Sequence, residues 1–251
     1  MEISLFLCSL WMFALCPAAA PLALRCGLTA CMRFSPRASC ALSGIAAFSG
    51  YLTAFMMRGC FRSPPVALRA SSLLSAFAGG VAGRMALIAF TARFSGSLTL
   101  SRVHAIPLLF LAIASLPLFF PALYSPRIPS FVSPALAFLT SLIDGFCGAG
   151  GCILLSLCCL PHVQRIRSRL PAPALALSLP ALLGALLLAH FSGSAQVFPA
   201  RMILSLCAGS ACGAGFFEHA KKHGALRFRM RAVLAVYIIL AALSCAEQAL
   251  R

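Results

Sequence analysis

The sequence predicts an all-α, polytopic integral membrane protein, and three observations carry that prediction. The chain has 251 residues, 61% of them hydrophobic, with a mean hydropathy of +0.99; soluble domains hold about 45–50% apolar residues. Apolar runs long enough to span a bilayer recur between short connectors rich in Arg and Pro. Acids are nearly absent: Glu2, Asp144, Glu218 and Glu247 stand against 20 Lys and Arg. At roughly 20 residues per span plus loops, about eight helices fit.

The elements follow in order. Span one covers residues 4–24 and contains Pro17 and Pro21, which predict a kinked or interrupted helix. A secretory leader has a positively charged start, whereas this one carries Glu2 and its apolar run continues to Leu24; it reads as a retained span. Arg25, Arg33 and Arg37 follow in a loop. Span two covers 38–57, then Arg58, Arg62 and the Pro64-Pro65 break. Span three, 66–90, carries Ala78-Gly79-Gly80-Val81-Ala82-Gly83, a small-residue run that lets helices approach closely. Arg93 and Arg102 precede span four, 105–124. The turn-rich connector 125–130 divides the chain into halves, 1–124 and 131–251. Span five runs through 131–160, and Arg165, Arg167 and Arg169 follow it. Span six covers 172–191, an uncharged loop leads to span seven at 198–217, and Lys221, Lys222, Arg227, Arg229 and Arg231 precede span eight at 232–249.

Connections one–two, three–four, five–six and seven–eight hold most of the basic residues. By the positive-inside rule both termini lie outside the cytoplasm, with Arg58 and Arg62 as the exception to the pattern. The halves also match: Ala41-Leu42-Ser43 recurs as Ala176-Leu177-Ser178, Gly50 falls opposite Gly184, and Ser75, Ala78, Gly79 and Gly83 fall opposite Ser205, Ala208, Gly209 and Gly213. The expectation is two parallel four-helix repeats, with spans one and five as counterparts and each of them broken.

The stretch Asp144-Gly145-Phe146-Cys147-Gly148-Ala149-Gly150-Gly151 does not suit a lipid-facing helix. Glycine weakens a helix by about 1 kcal/mol relative to alanine, and a charged Asp at mid-bilayer costs roughly 2.5–3.5 kcal/mol on the insertion scale. An interrupted helix exposes N–H groups at its new N-terminus, which attract anions. Gly148, Gly150 and Gly151 are therefore candidates for an anion cradle; the competing reading is a helix-packing face. Asp144 is read either as a titrating switch that couples proton and anion or as the cap of a helix restarting at Gly145. Arg84, just after Gly83, is expected to face an aqueous path, while Arg69 and Arg201 near span starts snorkel.

The Ile143-Asp144-Gly145-Phe146 run followed by Gly148-Ala149-Gly150-Gly151 resembles the signature of the TauE/SafE-type sulfite exporters. The resemblance implies a transporter of small sulfur-containing or organic anions, such as sulfite or sulfonates, in a bacterial plasma membrane. It places substrate contacts on Asp144, Gly145, Gly148, Gly150 and Gly151, to which Arg84 is added as a charge placed inside a span.

Other functions lack their minimum chemistry. The formal charge of +16 fits loops against anionic lipid, and no basic stretch interleaves with aromatics as a nucleic-acid platform needs. The 13 cysteines include no Cys-x-x-Cys pair and lie mostly in apolar runs, where thiols pack as small hydrophobes. His219 and His223 are one helical turn apart but have no third ligand nearby, so no metal and no cofactor is expected. An aspartyl intramembrane protease needs two membrane carboxylates, and only Asp144 is present; the Phe-Ser-Gly triplets lack the setting of a serine protease. The expected partners are a small anion and lipid, with a homo-oligomer left open. The non-transport alternative is an accessory or structural membrane subunit.

Overall fold

A computed structural model of the chain describes residues 2–58, 70–94, 98–119, 134–148, 172–191, 198–222 and 228–250. Among the described residues all regular structure is helical: α1 (Glu2–Leu15), α2 (Ala20–Ala30), α3 (Pro36–Met57), α4 (Ala70–Arg93), α5 (Leu98–Phe119), α6 (Pro134–Cys147), α7 (Ala172–Phe191), α8 (Ala200–Lys222) and α9 (Phe228–Leu250). Four of them, α3, α4, α7 and α8, are long and apolar enough to cross a membrane. The apolar segments of α1, α5, α6 and α9 are shorter. The count of eight full spans is thus met by four among the described residues.

Span one is interrupted, as Pro17 predicts. The Cys16 amide closes α1 on Met12 O at 3.1 Å, and the amides of Ala19 and Ala20 both turn back to Cys16 O, at 3.0 and 2.9 Å. Pro17 has no N–H to continue the ladder. Pro21 falls in the first turn of α2, where a missing N–H costs nothing. α3 begins where the Ser35 hydroxyl accepts from the Ala38 amide at 3.3 Å.

Glycines set the packing of two helix pairs. On α4, a methyl at Gly79 would overlap the carbonyl of Phe138, and one at Gly83 would overlap the carbonyl of Leu142. On α8, Gly209 stands in the same way against Phe6 and Ser9, and Gly213 against Leu10. In each pair one step along the first helix is matched by one step along its partner, so α4 runs beside α6, and α8 beside α1, in the same direction. α4 also packs on α7, α8 on α3, α3 on α7 and α5 on α9.

Further contacts fix the remaining directions. Arg37 at the start of α3 reaches Thr91 and the Ile88 carbonyl near the end of α4, while Cys40 meets Arg84, so α3 and α4 are antiparallel. α3 and α8 run the same way: Ser49 donates to Cys207 O at 3.0 Å, Gly215 faces Met57, and Arg58 pairs with Glu218. α1, α3 and α8 therefore share one direction and α4 and α6 the other. The parallel relation expected between spans one and five does not hold for α1 and α6, which run in opposite directions. The expectation counted 4–24 as a single crossing. With α1 and α3 aligned, the 11-residue α2 between them returns the chain.

Candidate functional site

Four helices meet around a small cavity of about 10 Å³, the scale of one water molecule. Cys40 and Gly44 line it from α3, Arg84 from α4, Asp144 and Gly145 from α6, Gly148 from just beyond α6, and Leu182 and Leu186 from α7. The structure thus gathers Arg84, Asp144, Gly145 and Gly148 of the sequence-derived site. Gly150, Gly151 and Arg69 lie outside the described residues. Arg201 is exposed and stands apart from the cavity.

The local chemistry at Asp144 differs from the expectation. Asp144 and Gly145 lie inside α6, one turn before its C-terminus. Gly148 ends the helix in the left-handed region, φ +81, and its amide closes on Asp144 O at 2.6 Å. This is a left-handed glycine cap, which suits a residue without Cβ. Asp144 is therefore not the N-cap of a helix restarting at Gly145. The backbone groups at this end are carbonyls, the negative pole of the helix; the N–H cradle expected where a helix restarts at Gly150 and Gly151 lies outside the described residues.

Those carbonyls are satisfied by side chains of the first half. Arg25 donates from Nε to Cys147 O at 3.0 Å and from Nη1 to Thr29 Oγ1 at 3.2 Å. Ser43 donates to Gly148 O at 3.3 Å. The Cys40 thiol lies 3.7 Å from Phe146 O and 3.9 Å from Gly145 O. Sequence reading put Arg25 in a loop; it is a fully buried residue of α2. The available signal was its spacing of four from Thr29, which places both on one helical face. Nothing local marked Cys40 or Ser43.

Arg84 is 4% exposed and Asp144 3%. The Arg84 guanidinium donates from Nη1 to Cys40 Sγ at 3.0 Å, and its buried Nε has no hydrogen-bond partner. Elsewhere in the bundle Arg58 forms an ion pair with Glu218. A buried guanidinium held by one soft acceptor is poorly compensated, because burying a charge without partners costs several kcal/mol. Arg84 is the group at this cavity with capacity left to bind. Glu218, next to His219, is engaged by Arg58.

No family model, no curated protein and no solved structure matches this chain.

Proposed function

We propose that the chain is a membrane transporter, an exporter of small sulfur-containing or organic anions such as sulfite or sulfonates, coupled to protons and resident in a bacterial plasma membrane. The observation that carries this reading is the buried Arg84, whose Nε lacks a partner at a cavity shared with Asp144. A buried cation of this kind attracts an anion, and the membrane carboxylate beside it is suited to a proton relay. The glycine motif, with its resemblance to the TauE/SafE-type exporters, supplies the substrate class.

The halves are read as an inverted repeat, a common transporter design with its site where broken helices meet near the midplane. Several features support this. α1 and α6 run in opposite directions, and each ends at a break. The pair α4–α6 repeats the glycine contacts of α8–α1. The long helices α3 and α4 correspond to α7 and α8, and the short apolar segments of α1 and α5 to those of α6 and α9. In this correspondence Ala214 stands where Arg84 is, and Met12 where Asp144 is. One of the two equivalent places carries charge, so the repeat builds a single site.

A cavity of about 10 Å³ holds one water and no sulfite, so on this reading transport requires the cavity to widen. Flux of sulfite, thiosulfate, sulfonates and short carboxylates into proteoliposomes tests the reading. Transport of one of these anions, lost in Arg84→Glu, is the expected result. An Arg84→Glu chain that transports normally removes Arg84 from the site. A chain that moves none of them, and tolerates substitution at Asp144, is an accessory membrane subunit instead.

A further inference from the structure

We propose that Cys40 is a positioning residue that fixes the Arg84 guanidinium as a receptor for oxyanions. The inference rests on the anion reading and adds a residue and a ligand geometry to it. Cys40 is 2% exposed and lies on the cavity wall. Its sulfur accepts from Arg84 Nη1 at 3.0 Å, while its thiol hydrogen points toward the carbonyls of Gly145 and Phe146 at 3.9 and 3.7 Å. Cys40 thereby ties Arg84 of α4 to the last turn of α6, the turn that holds Asp144.

A guanidinium is planar, so fixing one nitrogen constrains the others. With Nη1 on Cys40, the Nε–H is left buried and without a partner. That edge suits an oxygen of a carboxylate, sulfonate or sulfite group, which guanidinium N–H donors match in geometry. A halide has no such oxygens to align with the planar fork. The soft sulfur matters as well. Thiol sulfur is a weak acceptor, so it orients the guanidinium without neutralising it. A carboxylate at the same position would form a buried ion pair and remove the capacity to bind an anion.

The test uses the full chain purified in detergent, with binding of sulfite, methanesulfonate, acetate and chloride read by calorimetry, and with anion-free melting recorded in parallel. The wild-type chain is expected to prefer the oxyanions to chloride. Cys40→Ala weakens oxyanion binding about tenfold, Cys40→Ser recovers it to within about threefold of wild type, and Cys40→Asp weakens it a further tenfold or so, on the scale of a charge-assisted hydrogen bond. If the Asp variant does not fold, the Ala and Ser pair decides. Should Cys40→Ala bind oxyanions with wild-type affinity while Arg84→Gln has lost them, Cys40 only packs and the anion reading stands. If Arg84→Gln binds like wild type, or the wild-type chain binds none of the anions, the anion reading fails and this inference with it. Melting shifts shared by Ala and Ser without the difference in affinity also overturn the positioning role.

Discussion

Arg25 Nε donates to the carbonyl oxygen of Cys147 at 3.0 Å, so a fully buried cation from the first half closes the helix that carries Asp144. A cation at a helix C-terminus interacts favourably with its dipole, and a hydrogen bond from a charged group contributes about 1.5–3 kcal/mol. Arg25→Met keeps the bulk of the stem and removes the donor. The expected cost is about 1.5–3 kcal/mol of stability, measured by unfolding in detergent. An unchanged midpoint would show that water or another group satisfies Cys147 O equally well.

The glycine contacts between α4 and α6 predict a second stability effect. A Cβ at Gly83 would overlap Leu142 O, and one at Gly145 would overlap Gly80 O, in both cases rigid backbone rather than a yielding side chain. Gly83→Ala and Gly145→Ala should each destabilise by about 1–3 kcal/mol through overpacking. Gly215 is the control: a methyl there meets Met57 Sδ at 3.4 Å, an ordinary contact. Gly215→Ala should stay within about 0.5 kcal/mol of wild type. Equal effects at Gly83 and Gly215 would mean that α4 and α6 separate freely.

The shared direction of α3 and α8 makes a topological prediction. Arg58 ends α3 and Glu218 lies near the end of α8, and the two side chains pair. The C-terminal ends of α3 and α8 therefore lie at the same face of the bundle. Eight alternating crossings would put them on opposite faces. The paired arrangement gathers Arg58 and the end of α8, with Arg229 and Arg231 at the start of α9, at one face, while Arg33, Arg37 and Arg93 fall at the opposite face, so the first face holds the larger share of these basic residues. By the positive-inside rule that side is cytoplasmic. A membrane-impermeant thiol reagent added outside intact cells should label neither Cys60 nor a Gly224→Cys variant as the sole accessible thiol, and should label both after permeabilisation. Opposite labelling of the two positions would overturn the shared direction.

The extent to which these features were legible follows from how local they are. Span six, at 172–191, coincides with α7 because an uninterrupted apolar run leaves no choice of limits. The break at Pro17 was legible because a missing N–H is a property of the residue itself. The return of the chain through α2 was not, since a kink and a reversal have the same local sequence. The polarity of the break after Asp144 was also hidden: glycine can precede a helix or end one, and only the φ of Gly148 decides. Arg25 and Cys40 reach α6 across more than 100 residues of chain, contacts that no local pattern encodes.

The last prediction concerns Asp144, the carboxylate inside α6. Arg84 from α4 and Cys40 from α3 face it across the cavity, and Arg25 and Cys147 lie at the end of its own helix. A carboxylate beside an anion site repels the anion strongly in low dielectric. Protonation removes that repulsion, so Asp144 as a coupling switch is neutral with the anion bound and able to ionise when the site is empty. Binding of proton and anion is then reciprocal. The capping role that competed with this reading required Asp144 to precede a helix, and it sits within one instead. Its backbone carbonyl takes the Gly148 amide whatever the side chain is, so Asp144→Asn preserves the helix end and the side-chain volume and puts a group that cannot titrate in place of the carboxyl. The expected outcome is anion binding that no longer varies with pH and net flux uncoupled from a proton gradient in proteoliposomes. Wild-type pH dependence in Asp144→Asn would sink the switch, because the amide that replaces the carboxyl cannot titrate.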